Sequence, residues 1–320
     1  MVIYPPKGLI GALVTPLDSD HNIDKLSLRT LLEHTIGAVH GVLIGVGDIG
    51  EGFFLNNKQR MELITAGMEA VNGRVPLFLS VTGDTEDQTA ENIVHVERTK
   101  GERNYRGDIF LLDSPLWYHS NKGLPYLYAE FGKLTNLPFV LHNNPGPIVE
   151  LHRHLKRKNI RTNVLKKLCS NEQIVGITHV GELRRAINYA RAVRDRRDFR
   201  VYDGNEVSFL DKPSSGGVVA RGANLLPWGW KEITESSINP EERLREDTAY
   251  YGRLWNVGQI LKSLEEAYAP NPTAIIKLAL RLMGKIESST VAENTPPITP
   301  NQESKIYHFL VEHKLIISPS

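Results

Sequence analysis

Short apolar runs alternate with amphipathic stretches through the first two-thirds of the chain. The runs are Leu9 to Val14, Gly41 to Val46, Val75 to Val81, Asp108 to Leu112, Pro138 to His142, Ile174 to Thr178, Phe199 to Asp203 and Gly216 to Ala220. Helical patterns fall between them, at Asp24 to Val39, Lys58 to Asn72, Thr85 to Arg103, Lys122 to Asn136, Thr162 to Ser170, Gly181 to Arg196 and Val207 to Ser214. Eight strands with intervening helices are the signature of a parallel sheet built from βα units. They predict an α/β fold, a (β/α)8 TIM barrel, with its working end at the strands' C-terminal ends. After Pro227 the strand signal stops, and helical patterns follow at Pro240 to Ala269, Pro272 to Met283 and Pro300 to His313. Each begins at or just after a proline, where a fixed φ and a missing N–H do least harm. Glu287 to Pro300, rich in Ser, Thr and Pro, reads as a loop. The expected division is a barrel over residues 1–235 and a C-terminal helical extension over residues 236–320, packed on it.

A length of 320 residues suits one barrel with additions. The 38 basic and 37 acidic residues leave a formal charge of +1, so no global field argues for nucleic acid or an anionic membrane. The single cysteine, Cys169, excludes an intrachain disulfide and suits a reducing compartment. Met1 to Lys7 carries no run of signal-peptide length, and no stretch approaches the roughly 18 apolar residues of a spanning helix. The expectation is a cytoplasmic protein. One segment departs from the even charge: residues 151–167 carry seven Lys or Arg (153, 156, 157, 158, 161, 166 and 167), two His and no acid. A solvated loop and helix face is the expectation for such a run, and an anion site the alternative. Without interleaved aromatics it argues poorly for single-stranded nucleic acid.

Candidate chemistry gathers at three strand ends: Gly47-Asp48-Ile49-Gly50-Glu51, Leu141-His142-Asn143-Asn144-Pro145 and Gly176-Ile177-Thr178-His179. Together with Gly216-Gly217-Val218 and Gly222-Ala223-Asn224-Leu225-Leu226-Pro227, these resemble the dihydrodipicolinate synthase / N-acetylneuraminate lyase family of Schiff-base aldolases over about residues 7 to 290. The resemblance implies a lyase on a barrel with a helical extension, no cofactor, assembly as a homodimer or homotetramer, and a 2-oxo acid or sugar acid as the small-molecule ligand. It also implies that the third strand should read GIK, its lysine forming an imine with the carbonyl of a 2-oxo acid such as pyruvate. Thr178 stands there instead, and a hydroxyl cannot do that chemistry.

The family's GTTGE turn, whose backbone amides cradle a carboxylate, is matched at Gly47, Gly50 and Glu51, with Asp48 in place of a hydroxyl. A tight turn that needs glycine explains the same residues. His142 occupies the place of a proton-shuttling tyrosine, and histidine is competent in that role near neutral pH. Asp48 and His142 are expected to form a hydrogen-bonded dyad in which the carboxylate raises the imidazole pKa. The arginine that follows the proline in the family is missing, at Gly146 and Pro147. Trp117 and Tyr118, in Ser114-Pro115-Leu116-Trp117-Tyr118, match a stretch whose tyrosine completes a proton relay.

The site so implied comprises His142, Asp48 and Thr178 as its chemical centre and Ile49, Gly50, Glu51, Trp117, Tyr118 and Gly204 around the ligand. Lys212 could substitute for the absent lysine only if buried. A metal site built from Asp48, Asp113, His142, His179 and Asp203 is disfavoured, because an inward Thr178 and Gly204 turn His179 and Asp203 outward. The expectation is lysine-independent acid/base chemistry of lyase or hydratase type through His142. The alternative is a non-catalytic homologue that binds a metabolite or a partner protein.

Overall fold

The computed structural model describes residues 3–151, 157–213, 216–239, 248–293 and 295–316. Eight strands, β1 (Gly8–Ala12), β2 (Gly41–Ile44), β3 (Leu77–Ser80), β4 (Ile109–Asp113), β5 (Phe139–Asn143), β6 (Ile174–His179), β7 (Arg200–Asp203) and β8 (Gly217–Ala220), pair in chain order. All pairs are parallel, and β8 returns to pair with β1, closing the barrel. The eight runs read from the sequence therefore each supply one strand, with ends that differ by one or two residues.

Outside the strands lie α1 (Lys25–Thr35), α2 (Asn57–Val71), α3 (Glu86–Glu102), α4 (Leu124–Phe131), α5 (Pro145–Leu151), α6 (Thr162–Leu168), α7 (Leu183–Ala192) and α8 (Glu206–Asp211). Their starts follow local chemistry: Asp24 caps α1, Thr85 caps α3, and Asn56 with Gln59 forms a reciprocal capping box on α2. Beyond the barrel come α9 (Pro227–Ile238), α10 (Thr248–Tyr268), α11 (Pro272–Leu282) and α12 (Pro300–Glu312).

Two helices were not expected. α5 begins on Pro145 and includes Pro147, both tolerated in a first turn. α9 also begins on a proline and buries Trp230, Ile233, Thr234 and Ile238 on one face, so the expected boundary at residue 235 falls inside a helix. The expected start of the long C-terminal helix at Pro240 lies outside the described residues. Cys169 is buried at the end of α6, and burial pushes its thiol up to about 12. Among the described residues, no helix is long and apolar enough to cross a membrane.

The barrel interior is packed by side chains, not hollow. Phe78 of β3 stacks on Phe110 of β4 at 4.8 Å and meets the edge of Tyr202 of β7 at 6.3 Å. The Tyr202 hydroxyl reaches across to donate to the Pro6 carbonyl before β1.

Candidate active site

His142 on β5 and Thr178 on β6 are register partners, so they project from the same face of the sheet. That face is the inner one. Their neighbours Asn143 and His179 point outward, where Asn143 Nδ2 meets His179 Nδ1 at 3.2 Å and the His179 ring packs edge-on against Tyr189 of α7. Thr178 is 1% exposed and His142 8%. His142 Nδ1 shares a 2.5 Å hydrogen bond with Thr178 Oγ1, and the other ring nitrogen has no protein partner among the described residues. Burial pushes the imidazole below its ordinary value, and the Asp48 charge opposes this without prevailing.

The expected Asp48–His142 dyad is therefore not formed as a hydrogen-bonded pair. Asp48 instead accepts from Asn144 Nδ2 at 3.0 Å and from the Ile49 amide at 2.8 Å, while His142 bonds to Thr178. Its influence on the imidazole is by charge alone. The expected rise in the His142 pKa is also reversed, because an imidazolium sealed into the barrel loses its hydration and the half-buried carboxylate does not replace it.

The turn after β2 is closed on itself. Gly50 and Gly52 donate to the Val46 carbonyl, Glu51 to Asp48, and Phe53 to Gly47. With Ile49 donating to the Asp48 side chain, the amides of Ile49, Gly50 and Glu51 are all bonded within the turn and form no open cradle. The glycines are needed for space: a Cβ on Gly50 would lie 2.6 Å from the Val46 nitrogen, and one on Gly47 inside the Phe53 ring. Glu51, at φ 56, sends its carboxylate away from the mouth to Lys277 of α11 and accepts from the Ala292 amide at 2.6 Å.

The aromatic residues after β4 divide. Trp117 stacks on Phe53 at 3.6 Å between ring centres, nearly parallel. Tyr118 instead donates to the buried Asp113 at 2.6 Å, beside Tyr128 at 2.7 Å and Thr82 at 2.8 Å. Burial, then the Asp113 charge, holds the Tyr118 phenol well above its usual range, so it serves as a fixed donor. Gly204 ties β7 to β6 through its amide on the His179 carbonyl at 2.9 Å. Lys212 is exposed. Among the described residues, no group of three or more His, Cys, Asp or Glu is placed to hold a metal ion.

A cleft of about 240 Å³, counting the part open to solvent, lies over His142. Its walls are Phe53, Ser114, Leu116, Asn143, Asn144, Ile148 and, from the basic segment, Lys158. The segment's Arg153 and Lys156 lie outside the described residues, and Arg157, Lys166 and Lys167 are exposed, as a solvated face would be. Lys158 was the part that charge patterning could not single out.

A model of the dihydrodipicolinate synthetase family matches residues 5–312. The chain belongs to that family. Among similar curated proteins, the 4-hydroxy-tetrahydrodipicolinate synthase of Shewanella pealeana is 26% identical over 289 residues, 89% of this chain and 90% of that one. The Trichlorobacter lovleyi protein of the same name is 26% identical over 97% of this chain and 99% of its own. Solved structures share the fold. A prophage protein of the family from Escherichia coli K12, in complex with pyruvate, superposes with a TM-score of 0.79 at 19% identity, covering 97% of this chain and 99% of that one. The 4-hydroxy-tetrahydrodipicolinate synthase of Methylacidiphilum fumariolicum SolV gives 0.78 at 21% identity, covering 97% and 96%. Within this family fold, the family motifs of the chain lie at the ends of β2, β5 and β6, around one mouth.

Proposed function

We propose that this family member holds a small 2-oxo acid or related organic acid at the barrel mouth and acts on it by acid/base chemistry of lyase or hydratase type, with His142 as the proton carrier and Thr178 in place of the Schiff-base lysine. The observation that carries the reading is the His142–Thr178 hydrogen bond. It fixes the ring, occupies Nδ1 and leaves Nε2 for a ligand, while burial keeps the imidazole neutral and able to accept a proton near pH 7. A threonine hydroxyl adds to a carbonyl only as far as a hemiketal and cannot expel water to give C=N, so the proton must move without a covalent amine intermediate. The ligand class rests on the related Escherichia coli structure with pyruvate.

A second reading, a non-catalytic metabolite-binding or interaction protein, draws on the closure of the turn amides at Ile49, Gly50 and Glu51. Both readings include assembly as a homodimer or homotetramer.

Two measurements test the proposal. Incubation with pyruvate and borohydride should leave the intact mass unchanged, and a stoichiometric adduct on any one lysine overturns lysine-independent chemistry. In D2O the protein should exchange the pyruvate methyl protons, with His142→Gln lowering the rate by about 10²–10⁴. No exchange above buffer would favour the second reading.

A further inference from the structure

Near the mouth, the turn amides after β2 and two cations are engaged within the protein, whereas Lys158 has no such partner among the described residues. The turn amides after β2 are closed. Lys277 is buried against Glu51, and Arg221 after β8 is held by Glu206 at 2.9 Å, by Glu265 at 3.4 Å and over the Tyr268 ring. Lys158 lines the cleft over His142, is half-buried, and makes no hydrogen bond or ion pair among the described residues. Its place is set by the outward side chain next to His142. Asn143 Nδ2 donates to Asn159 Oδ1 at 2.8 Å, and Asn143 Oδ1 accepts from the Ile160 amide at 2.7 Å. Asn121 Nδ2 donates to the Asn159 carbonyl at 3.0 Å, and the Tyr189 hydroxyl to the Ile160 carbonyl at 2.6 Å. This clamp holds the chain leaving the basic segment against the end of β5, with Lys158 over the cleft.

The cleft lining also includes Ser114, whose hydroxyl likewise has no protein partner among the described residues. Three residues of the cleft lining, Lys158, Ser114 and His142, thus each carry a polar group without a protein partner among the described residues. The cleft is small and partly open to solvent. One cation and one hydroxyl beside a neutral base match a single carboxylate; a phosphate dianion would leave charge uncompensated.

We infer that Lys158 anchors the carboxylate of the ligand, with Ser114 as a second donor, and thereby sets the reacting carbon of a small organic acid against His142. The inference rests on the proposed function and adds to it the residue that selects the charge.

The test uses the full chain, with pyruvate and its neutral amide, pyruvamide, as probes and the His142 ring resonances as the readout. Lys158→Met should weaken pyruvate binding about tenfold or more, the loss expected for a hydrogen bond to a charged group. Lys158→Arg, which keeps the charge, should restore most of it, and pyruvamide should bind both variants as it binds the parent. Position 158 is accessible enough to solvent for these changes to leave the fold intact, which circular dichroism checks. Equal pyruvate binding by the parent and Lys158→Met, with His142 still perturbed, overturns the anchor and leaves the site reading standing. No perturbation of His142 by pyruvate in the parent overturns both. A borohydride-trapped adduct on Lys158 overturns the anchor too, by making this residue the imine-forming amine.

Discussion

At the scale of single residues, the competition at His142 is between hydration lost on burial and the field of Asp48, and burial wins. By NMR titration the ring should therefore be protonated only below the ordinary histidine value of about 6.5. Asp48→Asn should lower that midpoint further, since it removes the one influence that raises it. An unchanged midpoint would show that Asp48 does not act on the ring. Because the folded-state pKa is depressed, the stability tied to the neutral ring is complete above about pH 6.5 and is lost as the pH falls from there through the folded value. His142→Gln should make the acid-side decline in unfolding free energy shallower in that window, as read by urea denaturation at pH 7, 6 and 5. It should not flatten the decline, because His34, His40, His95 and His179 are also depressed, each by burial first. A pH-independent difference between parent and variant would contradict a neutral His142 in the folded state.

Between elements, the turn after β2 and helix α11 are joined by the buried Glu51–Lys277 pair. Lys277 Nζ also donates to the Thr290 carbonyl at 2.7 Å, so turn, helix and the following loop meet at one point. Burial lowers the lysine's pKa, and the Glu51 charge and hydrogen bond offset this only in part. Removing one partner leaves the other charged in an apolar setting, so Glu51→Gln or Lys277→Met should each cost about 3–5 kcal/mol in chemical denaturation. The double variant should lose well less than the sum of the two single losses. Strict additivity would mean that the two groups do not stabilise each other. The Glu51 motif was legible as a turn needing glycines, but Lys277 was not, because nothing in the pattern of α11 marks one of its lysines as buried. The strands were legible for the opposite reason: each is an apolar run that must be covered on both faces wherever it sits. α9 escaped notice because Gly229 and the Ser236-Ser237 pair dilute its pattern, and the burial of Trp230 against the barrel decides it.

In the whole molecule, closure and capping depend on residues far apart in the chain. Asn224 after β8 donates to the Ala12 carbonyl at 2.7 Å and accepts from the Val14 amide at 3.2 Å, stitching the seam between β8 and β1. We propose that the helices beyond Asn239 act as an extension that the barrel requires. They supply Lys277 to Glu51 and the Tyr268 hydroxyl to the buried Glu206 at 2.7 Å. A chain ending at Asn239 should accordingly lose cooperative thermal unfolding, as followed by circular dichroism. A sharp transition near that of the full chain would show that the barrel stands alone.

The amino-acid sequence by itself determined the order and type of the strands, the family, and which strand ends carry polar residues, since these follow from local spacing and from motifs read along the chain. Only the tertiary structure decided that His142 bonds to Thr178 and not Asp48, that the turn amides face inward on themselves, and that Lys158 of the basic run reaches the cleft. The physical reason is the same each time. A polar side chain's partner is chosen by distance and by exclusion of water among residues remote in sequence, and neither quantity is written in the spacing of its neighbours.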